Sequence, residues 1–340
     1  MIYVRDNKKY STDPDRLRCK LFGYATKTVG DKILSNVKVG TGIIPSIKKK
    51  SMFSVILRTV IKSKTAFAGL IIILLLILSA IFANVIAPPV FDDRLGDYLP
   101  SWSRQDLNNR FQQPNMEFWF GTDNFGRDIF ARVIHGSRIS LQVGAIAVSI
   151  SAAIGVMLGA ISGFYGGRCD NVLMRILDMA LAIPNILLAI AIAAALGPGL
   201  INVMIAVGIG GIPGYARIVR GSVMSVKEQE FVEAAKSSGA TDATLIFRHI
   251  LPNCMSPVIV TMTMGLGSAI LAAAGLAFIG LGVSPPSPEW GAMLSDGRRF
   301  MREFLPMVVF PGGAIALVVL GFNMFGDGLR DALDPRLNQR

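Results

Sequence analysis

Phe231-Val232-Glu233-Ala234-Ala235-Lys236-Ser237-Ser238-Gly239 opens the stretch around which this chain is organised; Ala240-Thr241-Asp242 follows, and Arg248-His249-Ile250-Leu251-Pro252-Asn253 closes it. It is the centre of a polar, charged island running from Arg217 to Asn253 between two apolar spans. Two helical pieces joined at a glycine fit this spelling. Gly239 can take the left-handed conformation that ends one helix, Thr241 or Asp242 can cap the next, and Pro252 is expected to stop it. Leu245, Ile246 and Phe247 would then face water, and exposed apolar groups of that kind await a partner. The stretch is predicted to be a docking element.

Composition frames the island. The chain has 340 residues, of which 52% are hydrophobic and only 17% charged. That is too apolar for a typical soluble domain, and the apolar residues gather in runs near bilayer-spanning length. A net charge of +11 invites a nucleic-acid reading, but residues 1–65 hold 15 Lys/Arg against 4 Asp/Glu, and the remaining residues hold 19 of each. Basic residues concentrated before the first span are what a cytoplasmic flank looks like, so no nucleic-acid partner is expected.

Six spans are predicted at about 66–87, 139–161, 177–196, 200–219, 257–282 and 306–326, within a membrane domain over 66–336. Before them lie a cytoplasmic arm over 1–50 and an interfacial amphipathic helix over 51–65, whose Met52, Phe53, Ile56 and Val60 share one face. An even number of crossings puts both termini inside, including a short tail over 337–340. The long external loops, 88–138 and 283–305, then carry 9 of the 34 Lys/Arg, in keeping with the charge bias. Cys19, Cys169 and Cys254 fall on the cytoplasmic side or its boundary, where no disulfide is expected.

Within the spans, Gly155, Gly159 and Gly163, and Gly265, Ala269, Ala273 and Ala277, recur at four-residue spacing. Such faces suit close helix packing, inside this chain or against a homologous partner. Pro184, Pro213 and Pro311 predict kinks. Asp178, near the cytoplasmic end of the third span, is expected to pair with Arg175 three residues away. No charge sits at mid-membrane, which disfavours the alternative of an ion-coupled secondary transporter or channel. Outside the spans, Gly121-Thr122-Asp123-Asn124-Phe125-Gly126-Arg127-Asp128 is read as a structural turn, with Phe118, Trp119 and Phe120 as interfacial anchors. No Gly-x4-Gly-Lys-Ser/Thr phosphate loop occurs, and two histidines and three scattered cysteines give no metal-ligand spacing. The chain alone is therefore expected to be no enzyme and to hold no cofactor or metal.

The island also carries a resemblance. Glu233-Ala234-Ala235, three residues, Gly239, nine residues and then His249-Ile250-Leu251-Pro252-Asn253 resembles the EAA loop of ABC importer permeases of the peptide/nickel branch. Similar patterns recur in Gly121–Asp128, in Ala216-Arg217 with Val219-Arg220, in Pro288-Glu289-Trp290-Gly291, and in Gly326-Asp327-Gly328-Leu329-Arg330-Asp331-Ala332-Leu333-Asp334-Pro335. The spelling is most like the second, C-type permease of dipeptide and oligopeptide importers, although the N-terminal arm is longer than the family usually carries. The resemblance implies the type I importer fold, an all-α polytopic membrane protein with six transmembrane helices and a cytoplasmic coupling helix inside the loop 217–256. It also implies partners: a homologous permease, two cytoplasmic ATPase subunits and an external binding protein delivering peptides, with nickel and glutathione as alternative cargoes. Under this reading Phe231, Glu233, Ala234, Ala235, Gly239, Leu245, Ile246, Phe247, His249 and Pro252 form the ATPase-coupling site.

Overall fold

The computed structural model describes residues 60–61, 63–92, 97–283 and 286–333. The cytoplasmic arm, nearly all of the interfacial helix over 51–65, and the C-terminal tail lie outside the described residues.

Helices dominate. In chain order they are α1 (Lys64–Ile81), α2 (Ala83–Ile86), α3 (Ile129–Tyr165), α4 (Gly167–Leu181), α5 (Asn185–Leu196), α6 (Leu200–Lys227), α7 (Glu230–Ser237), α8 (Asp242–Phe278), α9 (Trp290–Gly297) and α10 (Pro306–Leu333). Between α2 and α3 the chain also forms a small antiparallel hairpin, β1 (Val90–Asp92) with β2 (Asp97–Leu99), paired Val90 to Leu99. Five helices, α1, α3, α6, α8 and α10, are long and apolar enough to cross a membrane, and the bent pair α4–α5 makes a sixth if counted as one span. Large apolar side chains such as Leu74, Leu75, Ile81 and Leu317 remain exposed on their outer faces, as lipid contact requires.

The predicted spans correspond to these elements, with the fourth and sixth running on to Lys227 and Leu333 and with three further changes of shape. The second is longer than 139–161, because Asp128 caps α3 by accepting from the Phe130 amide at 2.9 Å and the helix runs from there through Tyr165. The first long loop accordingly ends at Asp128 rather than 138. The third span, expected as one helix over 177–196, is broken: α4 and α5 meet at an 87° bend. Pro184 supplies the cause, since it lacks an amide hydrogen and disfavours helical geometry at Ile183, and it stands as the N-cap of α5. Twelve residues of α5 reach only about 18 Å, less than a bilayer core. The fifth, expected from 257, extends back to Asp242 and ends at Phe278.

The small-residue faces are spent inside the chain. A side chain at Gly159 would place its Cβ 2.4 Å from the Ala216 carbonyl oxygen, and one at Gly155 would meet Tyr215 Cβ at 2.6 Å, so α3 and α6 approach to backbone contact. The α1–α10 contact has the same character: a Cβ on Gly328 would lie 2.0 Å from that of Ala66. At the end of the bundle that carries the Gly121–Asp128 turn, Ile129, Val133, Ile270, Trp290, Met293, Phe304 and Met307 form one core. A second core at the opposite end holds Val219, Val223, Val232, Leu245, Ile250 and Val258.

Candidate coupling surface

The island forms one short, terminated helix, α7, on the end of α6, followed by the first turns of α8. Glu230 and Glu233 occupy the first turn of α7 and Lys236 its last, each placed favourably for the helix dipole. At its end, Gly239 sits at φ +85°; its amide donates to the Lys236 carbonyl at 3.0 Å, and that of Ala240 to the Ala235 carbonyl at 3.2 Å. This bond pair is a Schellman motif, and it accounts for glycine at this position. Thr241 caps the next helix as expected, its hydroxyl accepting from the Thr244 amide.

Pro252 does not stop that helix. It lies in the first turn of the Leu251–Phe278 segment, and the helix continues through it because the six residues before it, Leu245–Ile250, widen into a π-turn. The Leu251 amide donates to the Ile246 carbonyl, five residues back, where the proline ring would crowd an ordinary four-residue ladder.

The π-turn also overturns the expectation for the apolar trio. Leu245 and Ile246 are buried, at 1% and 7% exposure, against Val219, Val223, Val232 and Ile250. Only Phe247 faces out, at 55%, together with Phe231 at 40% on α7. The remaining candidates divide similarly. Glu233, Ala234, Gly239 and Pro252 are exposed, while Ala235 and His249 are half-buried and His249 lends its carbonyl to the Asn253 side-chain amide. The structure thus separates a buried footing, formed by Val232, Leu245, Ile246 and Ile250, from an outward face bearing Phe231, Glu233 and Phe247.

Charges brace the root of this pedestal. Asp170 on α4 takes a two-pronged bond from Arg220 on α6, at 2.6 Å on each oxygen, and accepts from Ser162. Asp178 pairs with Arg217 at 2.7 Å rather than with the predicted Arg175, because the bend at Pro184 lays α4 against the end of α6. Lys227 donates to the Phe164 carbonyl, tying α6 to α3 just before α7 begins. Asp170 was missed in the sequence; the Arg217–Arg220 spacing, which places two guanidinium groups on one helical face, was the available signal for acidic partners.

The opposite end is built differently. Asp123 and Arg127, nearly inaccessible, bond at 2.6 Å, and Asp123 also accepts from the Phe125 and Arg127 amides. The structural turn is therefore present, with Gly121 and Gly126 at positive φ. Arg132 reaches the carbonyls of Trp102 and Pro286 and so joins the two long loops. Glu289 caps α9 through the Gly291 and Ala292 amides, and the Trp290 indole donates to the Val133 carbonyl at 3.0 Å. Of the three proposed anchors, Phe120 instead stacks on Phe310 inside the protein, while Trp119 is exposed.

Five long apolar helices, a sixth broken span and a polar segment projecting from one end make this an all-α, multi-pass membrane protein. Residues 155–339 match the family of binding-protein-dependent transport system inner membrane components, and residues 51–114 match the N-terminal TM domain of oligopeptide transport permease C. The chain is 51% identical over 276 residues to the dipeptide transport system permease protein DppC of Alkalihalophilus pseudofirmus, covering 81% of this chain and 87% of the relative. It is 50% identical over 273 residues to the glutathione transport system permease protein GsiD of Escherichia coli, covering 80% and 86%. Among solved structures, the inward-facing MetNI methionine ABC transporter aligns with 60% of this chain and 97% of that one, at 17% identity and a TM-score of 0.49. The chain belongs to the binding-protein-dependent transport system inner membrane components.

Proposed function

We propose that this chain is one half of the translocation pathway of an ATP-driven importer, paired with a homologous permease and driven by two cytoplasmic ATPase subunits. In this reading both termini face the cytoplasm, the island over 217–256 is cytoplasmic, and the long loops face an external binding protein. The cargo is a dipeptide or short peptide, the substrate class named for the dipeptide permease that is 51% identical. Glutathione, itself a short peptide, is the second reading, favoured by the 50% identity to a glutathione permease.

The observation that carries the coupling role is the division of the island into a buried footing and an outward face with two aromatic side chains. Phe231 and Phe247 are exposed among the described residues, and a groove on a soluble ATPase would cover them. The Schellman turn and the π-turn hold them in fixed positions, which allows a push on the face to reach α6 and α8. Hydrolysis belongs to the partner subunits in this account.

Reconstitution tests it. Proteoliposomes holding the four-subunit assembly, with ATP inside and binding protein outside, are expected to accumulate a dipeptide after proton and sodium gradients have been collapsed by ionophores. The isolated chain is expected to hydrolyse no ATP. Uptake that needs an ion gradient at constant ATP, or hydrolysis by the purified chain alone, overturns the proposal.

A further inference from the structure

A cleft of about 330 Å³ opens between α3, α5, α6 and α8 in the apolar body of the bundle. Its volume lies at the lower end of the ~300–1,000 Å³ typical of small-molecule sites. Its walls are mostly small or apolar, but four neutral polar side chains meet there: Ser151, Asn185, Tyr215 and Ser268. No charged side chain lines it.

The state of these polar groups decides what covers the cleft. Ser151 is satisfied within the protein, donating to the Ala147 and Gly208 carbonyls, and Tyr215 donates to the Thr261 carbonyl. Asn185 and Ser268 are exposed, and among the described residues their side chains make no hydrogen bond. Hydrocarbon cannot satisfy an amide or a hydroxyl, so a lipid-covered surface is a poor place for both. Water or a polar solute can satisfy them.

We propose that this cleft is the surface over which the cargo passes, and that it holds the uncharged backbone amide of a short peptide through Asn185 and Ser268. The proposal rests on the importer reading above and deepens it. A carboxamide offers both a donor and an acceptor, as a peptide bond does, and a serine hydroxyl adapts to either. A neutral lining gives charged termini no counter-ion to bind tightly, which keeps the site weak enough to release what it passes. Gly210 sets the width. A Cβ there would meet nothing nearer than the Asn185 carbonyl oxygen, at 3.8 Å, so a side chain can start at this position on the cleft wall. Its neighbour Gly211 differs, since a Cβ would fall 2.4 Å from the Ser151 hydroxyl.

Two arms test this in the assembled transporter. In a version with the three native cysteines replaced, Asn185→Cys and Ser268→Cys are expected to react with a small water-soluble thiol reagent at least tenfold faster than Leu75→Cys, an exposed position on α1 away from the cleft. Equally slow reaction at all three positions means that lipid or a sealed interface covers the cleft, and the proposal fails. In the second arm, Gly210→Leu is expected to lower uptake of Phe-Phe relative to Gly-Gly at least tenfold, while Gly313→Leu, which points into open space on α10, leaves that ratio unchanged. An unchanged ratio for Gly210→Leu overturns the passage role. Fast reaction at Asn185→Cys and Ser268→Cys, together with a wild-type assembly that takes up no peptide, would instead refute the peptide reading and leave a water-lined cleft standing.

Discussion

At the end of the bundle carrying Gly121–Asp128, Asp123 is enclosed by Arg127 and two backbone amides, Arg132 bridges two loops, and Glu289 and Trp290 are buried with their polar groups bonded. At the end carrying Gly239, the ion pair Asp178–Arg217 is more than half exposed, the turns are closed by backbone bonds, and two phenylalanines face outward. The first end pairs its buried charges internally, although the buried Asn124 side-chain oxygen has no partner among the described residues, and it too exposes apolar groups such as Trp119 and Leu305. The other spends a small core on holding apolar side chains in the open. The first end depends on its enclosed ion pairs, whereas the second uses a small buried core to hold Phe231 and Phe247 outward, so damage at the first end should cost stability and damage at the second should cost assembly.

The largest expected effect is at the first end. Replacing Arg127 with Met leaves the buried Asp123 carboxylate with only the longer, 3.8 Å pairing to Arg132, a loss on the order of 3 kcal/mol. Little folded protein should survive purification in detergent. The double variant Asp123→Asn/Arg127→Met, which removes the stranded charge but keeps an acceptor for the Phe125 amide, should recover a good part of the melting temperature. A single variant that melts like wild type would show that this end does not depend on its ion pair.

Next in size is a pH effect at the same end. Burial raises the Asp128 carboxyl from 3.8 to about 6, against the pull of the Phe130 amide. A raised carboxyl favours the folded state fully below its unfolded value, and that advantage is lost as pH rises through about 6. The change corresponds to up to about 3 kcal/mol. Wild type is therefore expected to lose melting temperature between pH 4 and pH 7.5 relative to Asp128→Asn, which retains the cap. Glu289 and Asp296, raised by the same burial, leave the variant a residual slope of the same sign. Parallel pH profiles for the two proteins would contradict the assignment.

The smallest effect is expected at the second end. Asp178→Asn removes an exposed ion pair worth about 0–1 kcal/mol and should leave melting and uptake nearly unchanged, whereas Asp170→Asn disrupts the shielded, two-pronged bond to Arg220 and should loosen α4 more. Comparing proteolysis rates within α4 for the two variants distinguishes them. Equal rates would mean that shielding contributes nothing to the brace.

How much of this was legible in the sequence depended on how far away the deciding partner lay. Apolar runs placed α1, α3, α6, α8 and α10, and Gly239 with Thr241 announced a turn and a cap, because hydrophobic length and left-handed backbone are local properties. Pro184 was legible as a kink, but the size of the bend, and with it the exchange of Arg175 for Arg217 as the partner of Asp178, depends on where α6 lies. Leu245 and Ile246 were misread for a related reason. A π-turn shifts the helical register by one residue, and the 3.6-residue period cannot show which face such a turn buries. Asn185 and Ser268, two neutral residues far apart in the chain, carried no signal until α5 and α8 set them around one cleft.

The account turns on the outward face of the island, and Phe247 is its most exposed large group there. Its loss from a buried contact is worth about 1.5–3 kcal/mol, or roughly a ten- to hundredfold weaker association. The direct measurement is the affinity of the membrane-inserted permease pair for its ATPase subunits, with wild type compared against Phe247→Asp, and with Phe310→Leu as a check on general damage at the far end. The predicted result is a normally melting Phe247→Asp protein that binds ATPase at least tenfold more weakly, beside a Phe310→Leu protein with wild-type affinity. A Phe247→Asp protein that binds within twofold of wild type would contradict the account and reduce residues 231–253 to a connection between two spans.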